Sequence, residues 1–400
     1  MNNRISSNMM YDQSVFLMLS RQSKINQLER QLATGQKLVT AKDDPVAAGT
    51  GVGMDRVLAE LDQLGANAAN VQNRLGLQES VLAQAGELLA RTSELTVHAN
   101  NAALSTDDRK SLASELHSIR ESLLALANST DGNGRYLFGG AADSVPPFSS
   151  SNGSVNYNGD QTQRQVEVSP NSFVKDAQPG SEVFMRIRTG DGIVDGNAAG
   201  TNTGLAVLSD ISRDGSAAWN GESFTISFTT PDTYDLLDGN GNVIDSGVYT
   251  SGEDINTQGL RLRLTGVPEP GDAFTLGQAG NRDVFGTLDR LAQALEMDTS
   301  TLAGRTAQQN LLQSSLRDVA RASEQLIDAR ATGGAQLGAL DNAASLREAS
   351  AITLKDSLSQ LRDLDYAEAI GQYKLENASL QAAQTIFAQM QSMSLFNMIR

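Results

Sequence analysis

The sequence predicts an α+β protein: a long antiparallel helical bundle or coiled coil built from the N- and C-terminal segments, with an antiparallel β domain inserted between them. Three observations predict it. Apolar residues recur at heptad spacing towards both ends of the chain, the pattern of helix faces packed on one another. Between about 141 and 283 the composition shifts to glycine, serine, asparagine and aspartate, with short alternating β-type runs. Hairpin-forming Asn-Gly pairs stand in that middle region, and no βαβ pattern does.

Taken in order, residues 1–40 form a terminal helix segment in which Met18, Ile25 and Leu32 lie seven apart and Leu28 takes the complementary position. Gly35 ends it. Residues 41–140 form the N-terminal half of the bundle. Asp44 can cap a helix start, and Pro45 suits the first helical position, where its missing N–H costs nothing; Asp43 belongs to the same start signal. Met54, Leu61, Ala68, Leu75, Leu82 and Leu89 then repeat at seven, with Val57, Leu64, Val71 and Ala85 three later. Ser105-Thr-Asp-Asp108 reads as a capping box, followed by the stripe Leu112, Leu116, Ile119, Leu123 and Leu126, which Asp131-Gly-Asn-Gly134 closes as a turn.

Within 141–283, Phe224, Ile226 and Phe228 alternate, as do Leu260, Leu262 and Leu264, and strands are expected to flank Asn158-Gly159 and Asn240-Gly241. Gly277-Gln-Ala-Gly280 reads as a linker. Residues 284–364 form the C-terminal half of the bundle, a heptad frame from Leu312 to Leu361 interrupted at Gly333-Gly334 without change of phase. Residues 365–400 form the second terminal helix segment, with Ile370, Tyr373, Leu380, Phe387 and Met390 along its stripe. A lone amphipathic helix of this size does not recover its ordering entropy in water. Both terminal segments are therefore expected to be loose in a single molecule and to order against neighbours.

The net charge of −16 argues against a nucleic-acid partner, because phosphate binding needs a basic face. It also disfavours an anionic membrane, and no run of about 18 apolar residues exists to insert into one. With no cysteine, disulfides, thiolate metal sites and cysteine nucleophiles are excluded. The opening MNNRISSNMMYDQSVF lacks the basic and apolar regions of a cleaved signal peptide, so any export is expected by another route. His98 and His117 read as exposed helix residues, Asp238-Gly-Asn-Gly-Asn242 as a hairpin turn, and Asp43-Asp44 as a cap and not as an acid–base pair. No catalytic residues, cofactor or metal are expected, and no enzyme.

Particular segments carry a family likeness. Arg4-Ile-Ser-Ser-Asn-Met-Met10, Gln31-Leu-Ala-Thr-Gly35 and Asp43-Asp-Pro-Val-Ala-Ala48 resemble the N-terminal region shared by flagellins and flagellar hook-associated proteins. Asp131-Gly-Asn-Gly-Arg-Tyr-Leu-Phe-Gly-Gly140, with Arg135, Tyr136 and Phe138, resembles the segment closing the helical half in the hook-associated protein 3 family, and Ser394-Leu-Phe-Asn397 is similar to that family's ending. Flagellin, the filament subunit, is the alternative; Pro45 and Gln31-Leu-Ala-Thr-Gly35 depart from its usual segments. A stalk-borne adhesin is a further alternative, though the insert offers no aromatic platform for a sugar ring.

The resemblance implies a structural subunit joining hook to filament, located extracellularly in the bacterial flagellum and exported unfolded without cleavage. It implies hook-associated protein 1 and flagellin as neighbours, together with copies of itself in an assembled ring. It also implies a cytoplasmic export chaperone on the C-terminal helix.

Overall fold

A computed structural model describes residues 7–101, 104–151, 153–215 and 219–398. The Arg4-Ile5-Ser6 start of the N-terminal motif, and the side chains of Ser394–Asn397, Met393 and Met398, lie outside the described residues. Six α-helices and fourteen strands are described: α1 (Ser7–Thr34), α2 (Pro45–Ala99), α3 (Thr106–Ala127), a β-rich stretch, then α4 (Val284–Glu296), α5 (Leu302–Arg362) and α6 (Tyr366–Met398). The chain divides into two compact units, residues 1–66 with 343–400 and residues 67–342.

In the first unit, α1 lies antiparallel to α6. The first part of α2 pairs likewise with the last part of α5, where Arg362 Nη1 donates to Asp55 Oδ1 at 3.1 Å. Asp44 caps α2 as expected: its Oδ1 accepts from the backbone N–H groups of Val46 and Ala47, both at 3.0 Å. Gly35 takes a left-handed φ of +71° where α1 ends. A short bridge follows, with Lys37 N donating to Arg362 O at 2.7 Å and Leu364 N to Gly35 O at 3.0 Å.

In the second unit, the rest of α2, α3, α4 and the first part of α5 share one core that includes Leu82, Leu89, Leu116, Leu123, Phe285 and Leu326. The predicted capping box at Ser105 is present. Gln78 occupies a heptad core position of α2 and is 2% exposed. Its amide is satisfied by Gln178, accepting from that residue's N–H at 3.2 Å and donating to its carbonyl at 3.1 Å. The α5 helix runs unbroken through Gly333-Gly334, where the heptad frame lacks an apolar residue but keeps its phase; no β-carbon at either position would meet another atom within 4 Å.

The β-rich stretch has two parts. Strands β1 (Phe148–Ser151), β2 (Ser154–Tyr157), β3 (Gln165–Ser169) and β4 (Ser172–Lys175) form two hairpins, β1–β2 and β3–β4. Phe148 and Val155 belong to the helical core, as does Phe184 of a π-helical turn at Ser181–Met185. The hairpin expected around Asn158-Gly159 does not form. Tyr157 instead donates through its hydroxyl to the carbonyls of Phe138 and Asp160, both at 2.9 Å, and draws this loop onto the Phe138 region.

The second part, β5 (Ile187–Arg188) to β14 (Asn281–Arg282), has its own core of Phe224, Ile226, Phe228, Leu260, Leu262, Leu264, Phe274 and neighbours. Its five-stranded antiparallel sheet runs β10 (Val243–Val248), β9 (Thr233–Leu237), β8 (Phe224–Thr230), β13 (Ala273–Gln278), β6 (Val194–Ala198). Its three-stranded sheet runs β11 (Asp254–Thr257), β12 (Leu260–Thr265), β7 (Val207–Arg213). Gly277 and Gln278 end strand β13 and do not form a linker. Asn240-Gly241 does make the predicted turn: Asp238 Oδ1 accepts from Asn240 N at 2.9 Å and Asn242 N at 2.8 Å between β9 and β10. The side chains of Phe224, Ile226, Phe228 and of Leu260, Leu262, Leu264 alternate inward as their spacing requires.

Candidate assembly site

The terminal helices are stitched along their length. The rings of Tyr11 and Phe387 lie 5.1 Å apart, Arg21 pairs with Glu376 at 2.9 Å, and Tyr373 donates to Glu29 at 3.1 Å. Rising numbers on α1 meet falling numbers on α6, the signature of antiparallel pairing. The predicted stripe residues sit on or beside this seam. Ile25, Leu28 and Leu380 are buried; Met18, Leu32, Tyr373, Phe387 and Met390 are half-buried; Ile370 is exposed.

Pairing consumes one face of each helix and leaves another bare. Phe16 is 73%, Leu19 65%, Leu375 66% and Ile386 57% exposed. These four lie off the heptad stripe. Their signal was the excess of apolar residues beyond one stripe, which marks a helix with more than one packing partner.

The Asp131–Gly140 segment is held by side-chain capture of its backbone. Asp131 Oδ1 accepts from Asn133 N at 2.9 Å and Arg135 N at 3.0 Å, and Gly134 takes φ +78° to close the turn. Arg74 of α2 donates to the Tyr136 carbonyl at 2.7 Å and lies 3.5 Å from Asp131 and 3.7 Å from Asp143. Burial pulls the Arg74 guanidinium down, opposed by the charges of Asp176, Asp143 and Asp131. Burial also pulls the Asp131 carboxyl up, but the N–H groups of Arg135 and Asn133, with the Arg74 charge, hold it below the usual range.

Arg135 is exposed, Tyr136 half-buried, and Phe138 wholly buried with its ring 5.2 Å from Phe184, edge to face. Arg74, Asp143, Arg164 and Asp176 were not singled out from sequence, because they converge from α2, a loop and the β3–β4 hairpin. Asp43 accepts from the Thr40 N–H at 2.8 Å, a local turn contact. His98 is exposed; His117 lies 3.9 Å from both Asp289 and Glu296. Among the described residues no three His, Cys, Asp or Glu side chains are grouped to hold a metal, and no helix is long and apolar enough to cross a membrane.

The bacterial flagellin N-terminal helical region matches residues 5–143, and the bacterial flagellin C-terminal helical region matches residues 316–399. These regions alone leave filament subunit and junction protein undivided. The crystal structure of FlgL from Xanthomonas campestris divides them: it is 56% identical, covers 76% of this chain and 99% of its own, and superposes with a TM-score of 0.73. The chain belongs to the flagellar hook-associated protein 3 (FlgL) family. Hook-associated protein 3 of Legionella pneumophila is 27% identical, with coverage of 77% and 98% and a TM-score of 0.73. That of Salmonella typhimurium is 26% identical over 99% of this chain and 100% of its own length. Membership in the FlgL family makes the chain a structural component of the bacterial flagellum, and the departures at Pro45 and Gln31–Gly35 fall on the side of this family.

Proposed function

We propose that this chain joins hook to filament through the faces of α1 and α6 that its own pairing leaves bare, and that it catalyses nothing. The observation carrying this reading is the exposure of Phe16, Leu19, Leu375 and Ile386 on helices already paired with each other. Burying each such side chain contributes roughly 1.5–3 kcal/mol. Adjoining helices of the same polymer supply the cover. Hook-associated protein 1 stands on one side and flagellin on the other, with copies of the chain around the ring. The chain travels to its extracellular site without cleavage, and a chaperone shields α6 in the cytoplasm. A net charge of −16 keeps the unassembled chain from associating early.

The test is the double variant Leu375→Asp, Ile386→Asp. It should give a soluble chain with an unchanged melting transition for residues 67–342, yet fail to enter flagella and abolish motility. Normal incorporation of that variant would reject the reading. Labelled protein should appear as a narrow band at the distal end of the hook; label along the filament would indicate a filament subunit.

A further inference from the structure

Beside the Asp131–Gly140 segment, α2, the turn at 131–135 and the β3–β4 hairpin enclose an open groove of about 630 Å³. Its α2 wall presents Asn70, Asn73 and Leu77, all exposed and all on one side of the helix. Seven residues of helix make a strip of about 10 Å, the length of about three residues of extended chain. Arg74 also lines the groove, with its side chain 7% exposed and its Nε without a hydrogen-bond partner.

Charge is layered here. Arg74, Arg135 and Arg164 face Asp131, Asp143 and Asp176, so the two signs are equal in number. They are not equal in exposure. The carboxylates are 14%, 12% and 6% exposed, whereas Arg135 is 57% and Arg164 38%. An approaching group therefore meets guanidinium heads first, on a chain whose overall charge is strongly negative.

We propose that this groove docks an extended, carboxylate-bearing segment of a neighbouring polypeptide. The carboxylate takes the planar fork of the exposed Arg135, which lies 3.7 Å from Asp143, while Arg164, whose Nε and Nη2 are already on Asp176, adds positive charge and no second fork. The amides of Asn70 and Asn73 exchange hydrogen bonds with the segment's backbone, and an apolar side chain of the segment covers Leu77. A free anion uses only the arginines and leaves the amide and apolar wall idle, which is why a peptide fits better. The proposal does not depend on the terminal helices, since every residue it uses lies within 67–342.

Two end-capped, fluorescein-labelled peptides, Gly-Asp-Leu-Asp-Gly and its counterpart with asparagine for aspartate, serve as probes for anisotropy titration of the full chain at low salt. The acidic peptide should bind at least tenfold tighter than the neutral one, and more weakly as salt is added. Arg135→Glu should remove that preference in a chain that stays folded at the titration temperature, and Asn73→Leu should weaken binding severalfold. Equal binding of the two peptides, or an Arg135→Glu chain that binds the acidic one unchanged, overturns the proposal. Displacement by acetate at concentrations as low as the unlabelled peptide requires also overturns it, because the groove would then be an anion site alone.

Discussion

At Gly140 the backbone is left-handed, φ +66°, and a β-carbon would overlap the carbonyl oxygen of Asp160. The conformation and the crowding both exclude a side chain, so Gly140→Ala should destabilise the chain by more than about 1 kcal/mol in urea unfolding. Phe138, fully buried against Phe184, should cost roughly 3–5 kcal/mol on truncation to alanine. Asp131 gives a pH dependence with a defined sign. Its folded carboxyl lies below the unfolded value, so the unfolded chain takes up the proton first in acid. The stability it contributes is present above the unfolded pKa and is lost as pH falls through the folded one. Asp131→Asn should therefore lower the melting temperature at neutral pH and flatten its fall in acid; parallel curves for both proteins would contradict this. Asp318, whose carboxyl burial raises, works in the opposite sense and blunts the acid loss without reversing it at Asp131.

At the scale of elements, legibility in the sequence tracked locality. Asp44-Pro45 and Ser105–Asp108 announce their helices because the cap lies within three residues of what it caps. The Asn240-Gly241 turn was legible for the same reason. Asn158-Gly159 was not, because the Tyr157 hydroxyl reaches Phe138, nineteen residues away, and overrides the local turn preference. Gln78 interrupts a heptad for a partner a hundred residues distant, and no local pattern encodes that. The texture change at 141 marks composition, whereas the packing changes later. Phe148 and Val155 serve the helical core, and only the segment between β5 and β14 carries a core of its own. Thr189 N donates to Gly280 O at 3.1 Å, so the two ends of that segment already touch. Replacing residues 190–279 by a two-residue Asn-Gly turn should leave a folded helical core whose melting transition persists and a chain that still enters flagella. Loss of the cooperative transition would show that the β domain is needed for the bundle to fold.

For the whole molecule, the terminal helices matter most. Their heptads were readable, but what each stripe meets was not, since period gives a face and no partner. Ile25, Leu28 and Leu380 close the α1–α6 seam, while Phe16, Leu19, Leu375 and Ile386 stay bare. A two-helix pair with so much uncovered apolar surface gains little against its ordering entropy. These helices should gain their stability from neighbours, and hydrogen exchange tests this directly. In the isolated chain, amides of 7–34 and 366–390 should exchange orders of magnitude faster than those of 106–127. In assembled flagella the two sets should be protected alike. Full protection of the terminal helices in the isolated chain would contradict the account.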